Sequence, residues 1–322
     1  MQELPRYARW HCEFPADSGV ERVEFTGPDR AMQTRPTFQH QPARLEYDVH
    51  GYETTTPQGE PVVAVRWTPT AVSDYRYRAL AGKRVVAEGA LRCVPSEHPG
   101  YVQRSARDPR YFAYSDGNAY VPIGPCLVGP PHYPLPRSRE HFDTGAQTAT
   151  LGCAEYRRWF RLLAAHGANF CRIWLSNAEF EVEGQVAGDL NLAAFARVDR
   201  LVELARASGI RLKLCFEHWR TFEPGTFFAR ALRHPDDGRA PASVDEWLQS
   251  PVWRALWLKK VHAYLARYGG DPTVMAWELW NEINCLRTSN WPVVNDWTRD
   301  MLAEIKRLEP SQLVVNSLGS FD

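Results

Sequence analysis

The sequence predicts a two-part chain: an antiparallel β-sandwich of general immunoglobulin-like form, then an α/β region built on a parallel sheet. Three observations carry this reading. Up to about Pro95, short runs of alternating apolar and polar residues are split by clusters of Gly, Pro, Asp and Thr, with no long helical period. From Phe112 the pattern becomes amphipathic helix, glycine, apolar strand, and it repeats. Near residue 280 an apolar run closes on an amide and a carboxylate, which a purely structural strand seldom chooses. The boundaries read as 1–98 for the sandwich module, 99–111 for a linker and 112–322 for the α/β part.

In the first part the candidate strands are 22–25, 43–49, 62–67 and 75–80. Such a module is read as a structural neighbour of a catalytic one, with carbohydrate binding as the alternative. Residues 112–124 then form a hairpin turning at Ser115-Asp116-Gly117-Asn118, its second arm entering the next domain. After a Pro-rich loop at 129–134, a first helix carries Tyr156, Trp159, Phe160 and Leu163, stops near Gly167 and feeds a strand at 169–175. A second carries Phe195, Val198, Leu201, Val202 and Ala205, stops near Gly209 and feeds 210–216. A third opens at Ser250-Pro251, a cap followed by a first-turn proline, and leads through Gly269-Gly270 into 274–284. A fourth, with Trp297, Met301, Ile305 and Leu308, leads into 312–317. Strands alternating with helices of this length imply parallel pairing and right-handed crossovers. Barrel and open doubly wound sheet both satisfy that pattern, and the lack of a Gly-rich phosphate loop counts against a nucleotide-binding open sheet.

Composition narrows the partners. The 38 basic residues cancel the 38 acidic ones, so no net field points to nucleic acid or an anionic membrane. Twelve Trp and thirteen Tyr offer flat faces of the kind that pack on sugar rings, although most must be core. Seven scattered cysteines without a CxxC pair indicate neither a disulfide framework nor a zinc knuckle, and Cys171 and Cys215 sit in runs that predict burial. With no HExxH or GxSxG phrase, and only a lone Glu217-His218 pair, no metal and no cofactor are expected. The N-terminus lacks an apolar signal region, which reads as cytoplasmic as it stands, or secreted or periplasmic if a leader precedes it.

The strand ends bear Arg172 and Trp174, then Glu217, His218 and Trp219, then Trp280, Asn281 and Glu282, then Asn316 and Ser317. Side-chain alternation would set Glu278, Trp280 and Glu282 on one face and Asn281 on the other. Residues from Phe112 onward resemble the first part of a clan A glycoside hydrolase barrel, close to the family-5 cellulase and mannanase group. The phrase Trp277-Glu278-Leu279-Trp280-Asn281-Glu282 is the most specific match, with the Arg172 and His218 strands in the expected order. The residues before it resemble the immunoglobulin-like module that precedes some of these barrels, through Val65-Arg66-Trp67-Thr68-Pro69 and Gly89-Ala90-Leu91-Arg92-Cys93.

The resemblance implies a (β/α)8 TIM-type barrel, present through about its fifth strand, and a retaining hydrolase of O-glycosidic bonds in a poly- or oligosaccharide. Glu282 would be the general acid/base and Asn281 would bind the sugar 2-hydroxyl. Arg172 would hold a carboxylate ionised, and His218, Trp219, Trp174 and Trp280 would line the substrate, Trp280 as an apolar wall beside the acid. Glu278 is read as structural, a buried partner below the active layer, and an ion pair of Arg172 with Glu278 is the alternative to the site role of Arg172. In the family the nucleophile stands on the seventh strand, so it is expected to lie beyond Asp322, and Glu217 is not assigned to that role. A carbohydrate substrate is the expected partner, with no nucleic acid and no membrane. The rival readings are a non-catalytic or degenerate carbohydrate-binding protein and, behind it, a different βα hydrolase with Glu282 as sole base.

Overall fold

The computed structural model describes residues 1–49, 51–127, 152–176, 179–184, 186–218 and 233–319, and of His218 the backbone alone. Trp219 and the Pro-rich loop 129–134, both named in the sequence reading, lie outside the described residues. The chain divides into two compact bodies, one of residues 1–42, 57–121 and 263–272, the other of 43–56, 122–262 and 273–322.

In chain order the first thirteen strands are β1 (Gln2–Pro5), β2 (Trp10–Phe14), β3 (Arg22–Thr26), β4 (Met32–Pro36), β5 (Phe38–His40), β6 (Ala43–Tyr47), β7 (Glu53–Pro57), β8 (Val62–Trp67), β9 (Ser73–Ala81), β10 (Arg84–Val94), β11 (Val102–Arg104), β12 (Phe112–Tyr114) and β13 (Ala119–Tyr120). The first body holds a five-stranded sheet β1-β10-β9-β3-β4 and a three-stranded sheet β2-β8-β5. One core takes the inward alternation of both: Val23 and Phe25 from β3, Leu91 and Cys93 from β10, Trp10 from β2, Val65 and Trp67 from β8. Phe25 stacks on Trp67 with ring centroids 4.2 Å apart, and the Trp67 indole donates to Gln33 Oε1 at 2.8 Å, so its one polar atom is satisfied.

Two boundaries differ from the sequence reading. The expected linker 99–111 contains β11, which pairs antiparallel with β12, and β12 pairs with β13 to complete a third small sheet. The hairpin of β6 and β7, expected in the sandwich, belongs instead to the second body. The reason is Glu53. Its carboxylate accepts from the Cys153 N–H at 2.8 Å and pairs with Arg197 Nε at 3.0 Å, and its carbonyl accepts from Arg197 Nη2 at 2.8 Å. A carboxylate at a helix N-terminus and a buried ion pair tie the hairpin to helices of the α/β layer.

The second body is a parallel sheet in which β14 (Cys126–Leu127), β15 (Phe170–Trp174), β16 (Arg211–His218), β17 (Val274–Asn281) and β18 (Leu313–Val315) lie side by side in chain order. The described helices are α1 (Gly152–Ala165), α2 (Phe195–Ala207), α3 (Val244–Gln249), α4 (Pro251–Tyr268) and α5 (Trp291–Leu308). The first parallel strand is β14 and not the expected arm 119–124, because Ala119 and Tyr120 pair back onto β12. Gly124 lets the chain cross there: a Cβ at that position would stand 1.8 Å from the Phe170 carbonyl oxygen. The helical faces follow the predicted spacing, with Phe195, Val198, Leu201, Val202 and Ala205 all buried on α2, and Trp297, Met301 and Ile305 on α5.

The parallel register runs Arg172–Lys213–Ala276 and, two residues on, Trp174–Cys215–Glu278–Val315. Rows two apart share a face, so Arg172, Lys213 and Glu278 stand together. The intervening row, Ile173–Leu214–Trp277, is apolar. Phe216 stacks on Trp277 at 5.1 Å and meets Trp257 of α4 edge-on. One face is therefore polar and the other forms the sheet-to-helix core. All seven cysteines are free thiols, with Cys171 and Cys215 buried as expected.

Candidate active site

The chemistry gathers where β17 ends. Arg172 Nε lies 2.6 Å from Glu278 Oε2 and its Nη2 lies 2.7 Å from Oε1, a bidentate clamp, and Lys213 Nζ stands 3.3 Å from the same carboxylate. Glu278 is 0% exposed. Burial pushes its carboxyl up, but the hydrogen bonds from Arg172, the Lys213 charge and the Ser317 hydroxyl outweigh it, and the group is held below its ordinary value. Burial pulls the Arg172 guanidinium down while Glu278 raises it, and the net displacement is upward. Both partners stay charged.

Arg172 Nη2 also donates to Asn281 Oδ1 at 2.7 Å. One guanidinium thus reaches two side chains three residues apart, which strict alternation forbids. The expected split, with Glu278, Trp280 and Glu282 on one face and Asn281 on the other, is corrected: Arg172 holds both Glu278 and Asn281 while Trp280 packs under the helices, and the pairing with β16 keeps its register from Glu278 to Asn281. Trp280 is 1% exposed and packs against Trp247 of α3 at 5.5 Å and Trp297 of α5 at 6.1 Å. It is core beneath the helices, and it cannot serve as an apolar wall beside the acid. Trp174 is half-buried with the Arg172 guanidinium 6.0 Å from its ring, so it does stand near the clamp.

Asn281 is 3% exposed, and its Nδ2 has no hydrogen-bond partner among the described residues. With Oδ1 held by Arg172, the amide presents a donor. A buried donor left unsatisfied costs about 1–3 kcal/mol, and a ligand oxygen would recover that.

Glu282 follows immediately, half-buried, with φ 54° and ψ 57°. A non-glycine residue in the left-handed region costs about 1–2 kcal/mol. The segment after β18 holds it there. Ser317 Oγ accepts from the Glu282 N–H at 3.0 Å and donates to the Trp280 carbonyl at 3.3 Å. Asn316 Oδ1 accepts from the Trp280 N–H at 3.1 Å, the Ser317 carbonyl accepts from the Ile283 N–H at 3.0 Å, and Asn284 Oδ1 accepts from the Gly319 N–H at 2.6 Å. Gly319 runs against the Glu282 side chain, where a Cβ would stand 3.0 Å from Cγ and Cδ. The sequence placed Asn316 and Ser317 at a strand end; that they lace β17 to β18 past the last sheet pairing was not readable there.

Glu217 has a different environment. It is 1% exposed, accepts from Lys260 Nζ at 2.7 Å and Trp257 Nε1 at 3.0 Å, and shares Lys260 with Glu183 at 3.0 Å and Glu181 at 3.7 Å. Lys260 ties the segment after β15 to the end of β16. His218 follows on the strand, but its side chain lies outside the described residues, as does Trp219. One aromatic escaped the sequence reading: Trp291, the first residue of α5, is 40% exposed. Its position nine residues after the acid was the available signal.

Comparison with known proteins agrees with this geometry. The family model "Cellulase (glycosyl hydrolase family 5)" matches residues 142–318. Mannan endo-1,4-beta-mannosidase 4 of Oryza sativa subsp. japonica is 28% identical over 172 residues, 50% of this chain and 37% of that protein. Mannan endo-1,4-beta-mannosidase 7 of Arabidopsis thaliana is 26% identical over 172 residues, 50% of this chain and 39% of the relative. The crystal structure of a glycoside hydrolase from Bacteroides vulgatus ATCC 8482 aligns with TM-score 0.62 at 16% identity, covering 100% of this chain and 57% of that one, a likeness of fold alone. The chain spans well under two thirds of the length of these relatives.

Proposed function

From the premise that this chain belongs to glycosyl hydrolase family 5, a family of (β/α)8 barrels, we propose that it is the part of a retaining glycoside hydrolase that binds a β-1,4-linked mannan backbone and carries the acid/base. The observation that supports this best is Asn281 Nδ2, buried beside Glu282, without a hydrogen-bond partner among the described residues and with the amide oxygen already engaged. It is a fixed donor awaiting an oxygen. A sugar 2-hydroxyl fills that role, in a contact that strengthens as oxocarbenium character develops at the anomeric carbon. Arg172, neutralised by Glu278, positions the amide and does not touch the reacting atoms.

Glu282 protonates the glycosidic oxygen as the bond to the anomeric carbon breaks, then takes a proton from the water that resolves the glycosyl-enzyme. The attacking group is a second carboxylate about 5 Å from the first. Glu217 does not meet that need, since Lys260 and Trp257 hold it. We read the nucleophile as a carboxylate on a later strand of the barrel, where the resemblance to the family puts it, and not as Glu217. The mannan preference rests on the names of the curated relatives, and the role of Glu282 on its place after Asn281 at the end of the fourth parallel strand.

Titration with β-1,4-manno-oligosaccharides, alongside product analysis by NMR, tests the reading. The complete enzyme is expected to bind and to hydrolyse with retention and its Glu282→Gln variant to keep binding and lose turnover, while residues 1–322 alone are expected to bind without turnover. Unchanged turnover in Glu282→Gln would remove the acid/base assignment. Binding without turnover in the complete enzyme would favour the non-catalytic carbohydrate-binding protein, and absence of both would end the proposal.

A further inference from the structure

We propose that His11, Glu13 and His40 form a binding site for a zinc-class divalent transition metal on the three-stranded sheet of the first body. The sheet order β2-β8-β5 and its register carry the argument. His11 stands opposite Arg66 and Glu13 opposite Ala64, while Phe38 stands opposite Ala64 and His40 opposite Val62. All of these alternate onto one face. The middle strand contributes only the Ala64 methyl between Glu13 and β5, so the Glu13 side chain can cross the strand.

The distances suit a metal. Glu13 Oε1 lies 2.9 Å from His11 Nε2 and 3.7 Å from His40 Nε2, and one donor atom from each residue falls within 4.8 Å of the others. Bonds of ~2.0–2.1 Å at tetrahedral angles set ligand atoms about 3.3 Å apart, and the two observed separations bracket that value. Two imidazoles and one carboxylate suit Zn²⁺, Co²⁺ or Ni²⁺, and give too few oxygens for Ca²⁺ or Mg²⁺. The side chains are 32%, 43% and 17% exposed, so a metal reaches them from solvent and keeps an open position.

Glu13 now bridges the imidazoles through its own oxygen, clasping β2 to β5 although the two strands are not neighbours. A bound metal replaces that carboxylate-centred clasp with a stronger one centred on the ion. Arg66 sets the limit on affinity. Its Nε donates to His11 Nδ1 at 3.4 Å, and its guanidinium lies 5.4 Å from the Phe38 ring and 5.6 Å from Tyr268. A metal on Nε2 requires the proton on Nδ1, which turns this contact from attraction to repulsion. The charge of Arg9, also felt by His11, acts in the same direction.

The test is calorimetric titration of the full chain with ZnCl₂, for the wild type, His40→Gln, Glu13→Gln and Arg66→Met, each checked for folding by circular dichroism. One saturable site is expected in the wild type, weaker by about tenfold or more in either ligand variant and tighter in Arg66→Met. A second readout needs no variant: Zn²⁺, and not Mg²⁺, should protect His11 and His40 from diethyl pyrocarbonate, read by peptide mass mapping. Absence of saturable zinc uptake would overturn the site. So would uptake unchanged in both ligand variants, or equal modification of His11 and His40 with and without zinc.

Discussion

Two glutamates four residues apart, Glu278 within β17 and Glu282 just past its end, have been given opposite work. Glu278 is sealed in the sheet, clamped by Arg172 and approached by Lys213, and its charge is fixed by its partners. Glu282 sits past the last sheet pairing, half-exposed, on a left-handed backbone held by Ser317 and its neighbours. The same side chain is a structural counter-charge in one place and a candidate proton carrier in the other. What separates them is where the sheet stops pairing, since past that point a carboxylate can face a substrate instead of an arginine.

The same isosteric change at both positions breaks the comparison most directly. In the complete enzyme, Glu282→Gln is expected to lower hydrolysis by about a hundred- to ten-thousand-fold with an unchanged melting temperature. Glu278→Gln is expected to cost about 3–5 kcal/mol of stability in denaturant titration, because it leaves Arg172 and Lys213 beside a neutral group. Should Glu278→Gln melt like the wild type, the structural reading of that residue is wrong. Ser317→Ala, which removes the acceptor for the Glu282 amide, is expected to cost about 1–3 kcal/mol and to lower turnover more than binding. Equal loss of both would mean that Ser317 supports the fold without orienting the acid.

The smallest effect is on pH. The folded Glu278 carboxyl lies below its ordinary value of 4.5, so its contribution to stability is complete above that pH and is lost as pH falls through the folded value. Melting curves below pH 4.5 should therefore fall more steeply for the wild type than for Glu278→Gln. Parallel curves would show that the pair does not hold its proton balance as described.

Much of this was legible in the residues, and the failures are informative. The helix faces of α2 and α5 and the order of the parallel strands follow from periodicity, while the pairing of Arg172 with Glu278 had been only the alternative to a site role for Arg172, drawn from the rule that buried charges pair. Trp280 misled because strict alternation was carried to the end of the strand, where Arg172 holds both Glu278 and Asn281 and Trp280 packs against Trp247 and Trp297. Glu53 misled for another reason: its hairpin has strand grammar like its neighbours, and only a distant arginine and a helix N-terminus decide where it belongs. Local pattern reports local structure, while partners 100 or 144 residues away do not write themselves into it.

Glu53 also bears on how the chain can be dissected. A clone opening at Phe112, where the grammar of the sequence changes, would express an α1 whose Cys153 amide has lost its acceptor. It would also leave Arg197 sealed at 5% exposure with its counter-charge gone. Removing one partner of such a pair costs about 3–5 kcal/mol, a large share of the roughly 5–15 kcal/mol by which a domain holds together. The smallest autonomous version of the α/β body is thus not a contiguous segment, and expression vectors for it should begin upstream of residue 43.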